Sequence, residues 1–477
     1  MLTDHEQSRT SIGGPEADEE LRAAFERVGV SDPKRVRIET PDLDGNLRGK
    51  YLAIEKLGSG KPIAFPEAYL ALSVGEEMID VPMTQLDVGY PDILIAPDWS
   101  TLRPVPWEPE VVALIGDGVL KDGETPHGSH PRTVLRSVVD AVAEQGYEAV
   151  VGVEYEFFVY RLDERSQEAL ERGEIDAMTP LSRMQQGYSL QRWSDHADFA
   201  ADLEQSMRAY GVPIESMLTE IGAGMLEVAL APAPALEAAD RAARFKLGCR
   251  EVAKRHGLLP TFMAKPTMRE QGSSGHIHQS LIDADGNALW GGEPETLSPV
   301  GRAYAAGLMR AAIECGAFFA PFPNSYRRHD PGQWAPTQVS WGWDNRQTTT
   351  RAITLNRGSS RFELRCVGAD LQPYLAIAAC LAGGALGIRE ELEPPPPVGL
   401  RSDRGEVGME EGSCGTVAAD LREAADRLRS SKLAREALGD EIVELYAASR
   451  VIEQETWERL RDEQVPPFEI RRYLEVV

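Results

Sequence analysis

Glu154 and Glu156 stand two residues apart in the segment VGVEYEFFVY. In a strand, residues i and i+2 share a face, so both carboxylates project together while Val153, Tyr155 and Phe157 take the other side. Adjacent carboxylates repel and require water or a cation between them. A half-exposed strand with a solvated acidic face would satisfy the pattern, and so would a hard divalent metal. A second acidic pair, Glu220 and Glu227, brackets IGAGML, whose two glycines permit a turn sharp enough for the carboxylates to converge. Nearby Glu215 is either solvent-facing or an acceptor for a ligand hydroxyl.

His276 and His278 repeat the i, i+2 spacing in GSSGHIHQSL, after a Gly- and Ser-rich loop that lets backbone approach a ligand. Glutamates with an imidazole and no thiolate favour Mg²⁺ or Mn²⁺ over zinc. In RFELR, Arg361, Glu363 and Arg365 alternate with Phe362 and Leu364. That charged face is costly to bury unless anions and metals neutralise it, and the apolar PYLAIAACLAGGALGI that follows predicts a buried helix and an interior strand. Arg327, Arg328, Arg346 and Arg351 add guanidinium forks suited to carboxylate and phosphate. Together these residues could serve ATP, two divalent cations and a carboxylic acid.

The elements that must carry them are legible in outline. Leu21, Phe25 and Val28 form a short helical stripe ending near Gly29, and a strand pair turns at Asp44-Gly45. DILIAP and VVALIG extend this into a small sheet-rich N-terminal domain. Pro131 opens a helix with Val134, Leu135, Val138, Val139 and Val142 on one face, stopped at Gly146. Further helices are predicted at about 196–210, 235–256, 300–316, 373–391 and through much of 417–463, with an exposed Pro- and Gly-rich connector over 393–415. The expected division is a partly disordered extension over 1–30, a small domain over 31–124 and a catalytic domain over 125–477.

The chain has 477 residues and a formal net charge of −26, which argues against recognition of nucleic acid or anionic membrane through a general field. Any anionic substrate must then be held by local arginines and metal ions. The five cysteines, Cys249, Cys315, Cys366, Cys380 and Cys414, are scattered without a CxxC pair. They suggest neither a zinc knuckle nor a disulfide framework and fit a reducing cytoplasm. The polar, acidic N-terminus lacks a secretory pattern, and no apolar run reaches about 18 residues.

In order and spacing these segments resemble glutamine synthetase of the bacterial class I type, from about residue 35 to the C-terminus. The family's paired metal glutamates are similar to Glu154 and Glu156. Its Glu-x-Ala-Pro-Gly-Gln-x-Glu motif resembles Glu220 to Glu227, and its Gly-Ser-Gly-Met-His-x-His-x-Ser motif resembles Gly272 to Ser280. Its Arg-x-Glu-x-Arg strand matches Arg361, Glu363 and Arg365. The resemblance implies one metal on Glu154, His276 and Glu363, and another on Glu156, Glu220 and Glu227. It implies Glu215, His278, Ser280, Arg351 and Arg361 at the nucleotide. Gln271, Gly272, Arg328 and Arg365 would lie at glutamate, and Arg346 would stabilise the transferring phosphoryl group. It further implies an α+β fold, with a small N-terminal β-grasp domain before a large α/β catalytic domain, ATP with Mg²⁺ or Mn²⁺ at two sites, and a homo-oligomer of two stacked rings, commonly a dodecamer.

The departures bear on the nitrogen donor. Where glutamine synthetases carry Gly-Tyr-Glu-Ala-Pro, with a glutamate that takes a proton from ammonium, this chain reads Gly332-Gln333-Trp334-Ala335-Pro336. Trp334 offers no carboxylate, although its face attracts an alkylammonium; it could also merely pack beneath its loop. The acidic loop that binds ammonium in the family has no clear equivalent in FPEAYLALSVGEE. These losses resemble the γ-glutamylpolyamine and γ-glutamylethanolamide synthetases, which imply ligation of glutamate to an organic amine through γ-glutamyl phosphate. Ordinary glutamine synthetase, a catalytically silent relative and a guanidino kinase are the competing readings.

Overall fold

The computed structural model describes residues 17–59, 61–79, 89, 91–184, 186–283, 285–291, 293–329, 334–356, 358–399, 409–460 and 467–477. The extension up to residue 16, Gly332 and Gln333 of the tryptophan motif, and positions 400–408 of the connector lie outside them.

The expected N-terminal helix is Ala17–Arg27, followed by Gly29 at φ +76°. The strands Arg35–Pro41 and Leu47–Ala53 form an antiparallel hairpin, Arg35 facing Ala53 and Pro41 facing Leu47. Its turn is built by Asp42, whose Oδ1 accepts from the Asp44 and Asn46 amides at 3.0 and 2.9 Å, the local carboxylate-to-backbone bonding that favours Asp in turns. Arg35–Pro41 also pairs in parallel with Val111–Val119, and Asp92–Pro97 with Ile63–Pro66 completes the main path of a 6-stranded sheet among the described residues. Alternate residues of these strands, including Val36, Ile38, Val112 and Leu114, pack with Leu21 and Phe25 in a core of their own.

Helix Pro131–Glu144 begins the larger domain. His130 caps it by accepting from the Thr133 amide at 3.2 Å, and Gly146 follows at φ +86°. An 11-stranded sheet is arranged around the 14-residue strand Glu148–Arg161. One neighbour is Met225–Leu230, which continues to Ile214–Thr219. On the other side come Ile277–Ile282, Arg361–Leu364, Thr350–Ile353, Gln338–Trp343 and Ser413–Thr416 in turn. The expected helices are Ala197–Ala209, Ala235–Arg255, Pro299–Glu314 and Pro373–Arg389, and the last region divides into Leu421–Ser430, Lys432–Leu438 and Asp440–Leu460. Pro373–Arg389 is buried from Pro373 to Gly387. It lies so close to Pro299–Glu314 that a Cβ on Gly307 would fall 2.0 Å from the Gly383 carbonyl oxygen.

The connector departs from expectation at both described ends. Ser413–Thr416 is a strand paired with Gln338–Trp343, and Val398 is buried. The Trp341 indole donates to the Pro395 carbonyl at 2.7 Å and Asn345 Nδ2 to the Val398 carbonyl at 3.1 Å. Distant donors thus hold down a segment that composition alone reads as exposed. Among the described residues no helix is long and apolar enough to cross a membrane.

Candidate active site

Strand register assembles the acids. Glu227 lies directly opposite Glu156 across one antiparallel pair, His278 opposite Glu363 across another, and Glu363 opposite Arg351 across the next. Like charges set directly opposite destabilise a sheet unless something between them offsets the repulsion. Glu220 follows the strand Ile214–Thr219, and Gly224 at φ +74° turns the chain back so that Glu227 returns beside it. Glu156, Glu220 and Glu227 each present an oxygen within 4.8 Å of the others, and one ligand atom each from Glu154, His278 and Glu363 meets the same limit.

His276 Nδ1 lies 3.5 Å from Glu154 and 3.4 Å from Glu363, so it also faces the second group. His278 Nε2 is 3.1 Å from Glu154 Oε1, without hydrogen-bond geometry. Both imidazoles therefore stand against Glu154, His278 from within the strand Ile277–Ile282 and His276 from the residue before it. Burial raises Glu154, but His278 and His276 outweigh it and hold this carboxyl well below its usual range. Glu363 follows the same balance to about 2, with burial opposed by His276, His278, Arg365 and Arg351.

The other group lacks such compensation. Burial, and then the charges of Glu154, Glu156, Glu220 and Glu363, push Glu227 up to about 8. Burial and Glu156 raise Glu220. Among the described residues only backbone amides reach its companions: Ser274 N donates to Glu156 Oε2 and Ile221 N to Glu220 Oε2, each at 2.7 Å. A half-buried, all-oxygen triad short of positive charge suits a hard divalent cation, as does the neighbouring carboxylate and imidazole set.

Around the acids stand cations with open donors. Arg328 is buried; its Nη2 donates to Ser274 Oγ at 2.8 Å and to the Arg365 carbonyl at 3.1 Å, while Nη1 has no partner among the described residues. A buried donor left unmade is expensive, and an incoming carboxylate would satisfy it. Gly272 makes room for this side chain, since a Cβ there would fall 2.6 Å from Arg328 Cγ; Gln271 precedes it, half-buried. Arg365 bonds Glu363 and donates to the Arg346 carbonyl at 3.1 Å. Arg351 donates to Glu363 Oε2 and to Asp344 Oδ1, both at 2.8 Å. Arg346 itself is exposed.

A cavity of about 410 Å³ adjoins the metal-type groups. Glu154, Glu215, His278, Ser280, Ser360 and Arg361 are among its lining residues. Arg361 Nε donates to His278 Nδ1 at 3.1 Å, and Ser280 Oγ donates to the Ser360 carbonyl. Every residue expected at the nucleotide except Arg351 therefore borders one cavity. Trp334 stands elsewhere, 53% exposed at φ +62°, on a groove of about 440 Å³ shared with Pro336, Gln347 and Met409.

Tyr188 was not legible from sequence. It is exposed, holds φ +57°, and is raised by partial burial and then by Glu227 and Glu220, with Arg346 opposing, which places it beside the acids. Its only local signal is the turn-forming Gly187 and Ser189 on either side. Ser274, which joins Arg328 to Glu156, lies within a glycine-rich loop read only as permissive.

The glutamine synthetase catalytic domain model matches residues 128–473. The chain is 35% identical over 460 residues to type-1 glutamine synthetase 2 of Dictyostelium discoideum, covering 94% of this chain and 85% of that protein. It is 34% identical over 449 residues to a glutamate–isopropylamine ligase of a Pseudomonas species, covering 93% and 95%. The solved complex of GmaS with ADP superposes with a TM-score of 0.77 at 27% identity, covering 95% of this chain and 99% of that one.

Proposed function

This chain belongs to the glutamine synthetase family, and from that premise we propose that it is an ATP-dependent ligase joining the γ-carboxylate of L-glutamate to an organic amine. The acceptor class is a polyamine, ethanolamine or another monoamine. The observation that carries the choice is Trp334: an exposed indole on an open groove stands where the family places an ammonium-binding glutamate. An indole face attracts an alkylammonium and shelters its carbon chain.

In this reading Glu156, Glu220 and Glu227 hold one divalent metal, and Glu154, Glu363 and His276 the other. Bound metals supply charge neutralisation at the phosphoryl oxygens. Arg328 clamps a glutamate carboxylate with its unpartnered Nη1, helped by Arg365 and the backbone of Gln271 and Gly272. Glu215, His278, Ser280, Arg351 and Arg361 hold the nucleotide. Arg346, exposed and free to reach inward, offsets charge on the phosphoryl group as the γ-carboxylate attacks ATP and ADP leaves. The amine then attacks γ-glutamyl phosphate and phosphate departs. An amine of pKa about 10 must first lose a proton, at a cost of roughly 4 kcal/mol at pH 7. We infer a cytoplasmic homo-oligomer of two stacked rings.

The test is phosphate release and product mass with ATP, Mg²⁺, glutamate and a panel of ammonia, putrescine, ethanolamine, isopropylamine and methylamine. The expected result is a kcat/KM for one organic amine at least about tenfold above that for ammonia, equivalent to about 1.4 kcal/mol. Turnover with ammonia alone would establish the second reading, ordinary glutamine synthetase, which the Dictyostelium relative favours. No turnover with any amine would indicate a silent relative.

A further inference from the structure

Arg328 depends on a turn whose anchorage lies in the last eleven residues of the chain. It caps the 3-10 turn Pro323–Arg327, its amide donating to the Ser325 carbonyl at 3.1 Å, so its position follows that of the turn. From one side Ser325 Oγ donates to Asp370 Oδ2 at 2.7 Å. From the other, the fully buried Glu469 of helix Pro467–Tyr473 receives three donors. Asn324 Nδ2 reaches Oε2 at 2.8 Å, Arg327 Nη2 reaches Oε1 at 3.1 Å, and the Trp457 indole also bonds Oε1. Asn324 in turn binds the backbone of Lys265 in both directions at 2.9 Å, before the loop that carries Gly272.

Three converging donors require an acceptor-only group with two oxygens, which an ionised carboxylate supplies and an amide of equal size does not. The helix bearing it is seated by Ile470, Tyr473, Leu474 and Val477 against Phe158, Met263 and Phe322. The Val477 carbonyl further accepts from Arg250 at 2.7 Å and from the Phe262 amide at 3.2 Å.

We propose that Glu469 is a positioning residue: from the C-terminal helix it fixes the Asn324–Arg328 turn and so sets affinity for the glutamate carboxylate. This rests on Arg328 being the carboxylate clamp. It assigns the C-terminal segment a part in substrate binding although Glu469 touches no substrate.

The test compares wild type, Glu469→Gln and the milder Trp457→Phe, which removes one donor and keeps the ring near Arg327. For Glu469→Gln the expected result is a KM for glutamate raised about tenfold, with kcat within about threefold and KM for ATP within about twofold. Trp457→Phe should raise KM for glutamate about threefold. In substrate-free protein, amide hydrogen exchange at Ser325, Arg328 and His329 should quicken at least about tenfold in Glu469→Gln while exchange in Glu148–Arg161 stays unchanged. A KM for glutamate within twofold of wild type in both variants overturns the proposal. So does an equal rise for glutamate and ATP, which would mark general loosening. If wild type does not turn over glutamate, the functional reading fails, and exchange alone decides the mooring: unchanged rates at those amides in folded Glu469→Gln overturn it. Should Glu469→Gln not fold, the same two readouts on Trp457→Phe decide.

Discussion

Two largely half-buried acidic clusters in this molecule are built on opposite principles. Where the small sheet meets the larger domain, Asp98, Asp117 and Asp240 surround Arg132, which is 1% exposed, with Arg136 beside it. All six carboxylate oxygens accept a bond, from the two arginines, Ser100 or Tyr374. In the catalytic sheet, Glu156, Glu220 and Glu227 have no arginine or lysine within ion-pair distance among the described residues, and nothing there donates to Glu227. The first cluster joins elements; the second, in the function proposed above, takes its charge from outside. Acids partly withdrawn from water are common to both. What distinguishes the proposed metal site is that no cation of the described residues reaches it within ion-pair distance.

Removing the cation of the junction is expected to have the largest effect. Arg132→Met leaves the buried Asp240 without a cation and Asp98 and Asp117 with Arg136 alone, and a loss of about 3–5 kcal/mol in denaturant unfolding is expected. Added Mg²⁺ should not restore it. A loss under about 1 kcal/mol would mean that the junction is no better compensated than the site. The converse substitution is Glu227→Gln. Turnover at saturating Mg²⁺ should fall at least about a hundredfold, since disturbing even outer-shell partners of a metal costs 10 to 100-fold. Yet the metal-free protein should melt at the same or a higher temperature, because glutamine is neutral without the proton that Glu227 must take up on folding. A melting temperature that drops with activity would contradict the contrast.

Proton linkage separates the clusters by sign. Glu227, raised to about 8, is protonated in the metal-free fold and ionised in the unfolded chain, so its contribution is full in acid and lost as pH rises to about 8. Asp117 behaves oppositely: burial raises it, Arg132 and Arg136 outweigh that, and its contribution holds above about pH 4 and fades only in stronger acid. Metal-free thermal melts from pH 5 to 9 should therefore decline with pH, by at most about 1.4 kcal/mol for each unit, and saturating Mg²⁺ should flatten the curve. Apparent Mg²⁺ affinity should rise over the same interval. A flat metal-free profile would show that Glu227 already has a partner.

The site was more legible than the junction because its chemistry is local in sequence. Spacing of two puts Glu154 with Glu156 on one face, and the register then sets Glu227 opposite Glu156, a partnership that no single segment encodes. The departure at Trp334 could be read from its motif, whereas its exposure depends on packing around the loop. Tyr188 has no periodicity or motif to mark it. Nor had the junction aspartates: Arg132 meets Asp117 and Asp240 across 15 and 108 residues, and each reads alone as an ordinary charge beside a helix or strand. Helices announced themselves through stripes and caps. Ser413–Thr416 did not, because its strand exists only through pairing with Gln338–Trp343.

The finest test of the comparison lies within the junction, between its two arginines. Arg132 touches all three aspartates and is shut away from water, whereas Arg136 touches Asp98 and Asp117 and keeps 26% of its side chain exposed. If compensation by a buried cation is what makes the cluster structural, removing the outer arginine should matter far less: Asp98 and Asp117 retain Arg132, and water can reach the oxygens that Arg136 leaves. Arg136→Met should therefore cost about 1 kcal/mol, near the upper end for exposed ion pairs. That loss should shrink in high salt, where partly exposed charges are screened. A loss equal to that of Arg132→Met, insensitive to salt, would instead show that the junction works as one indivisible unit and that the count of cations, not their burial, sets its stability.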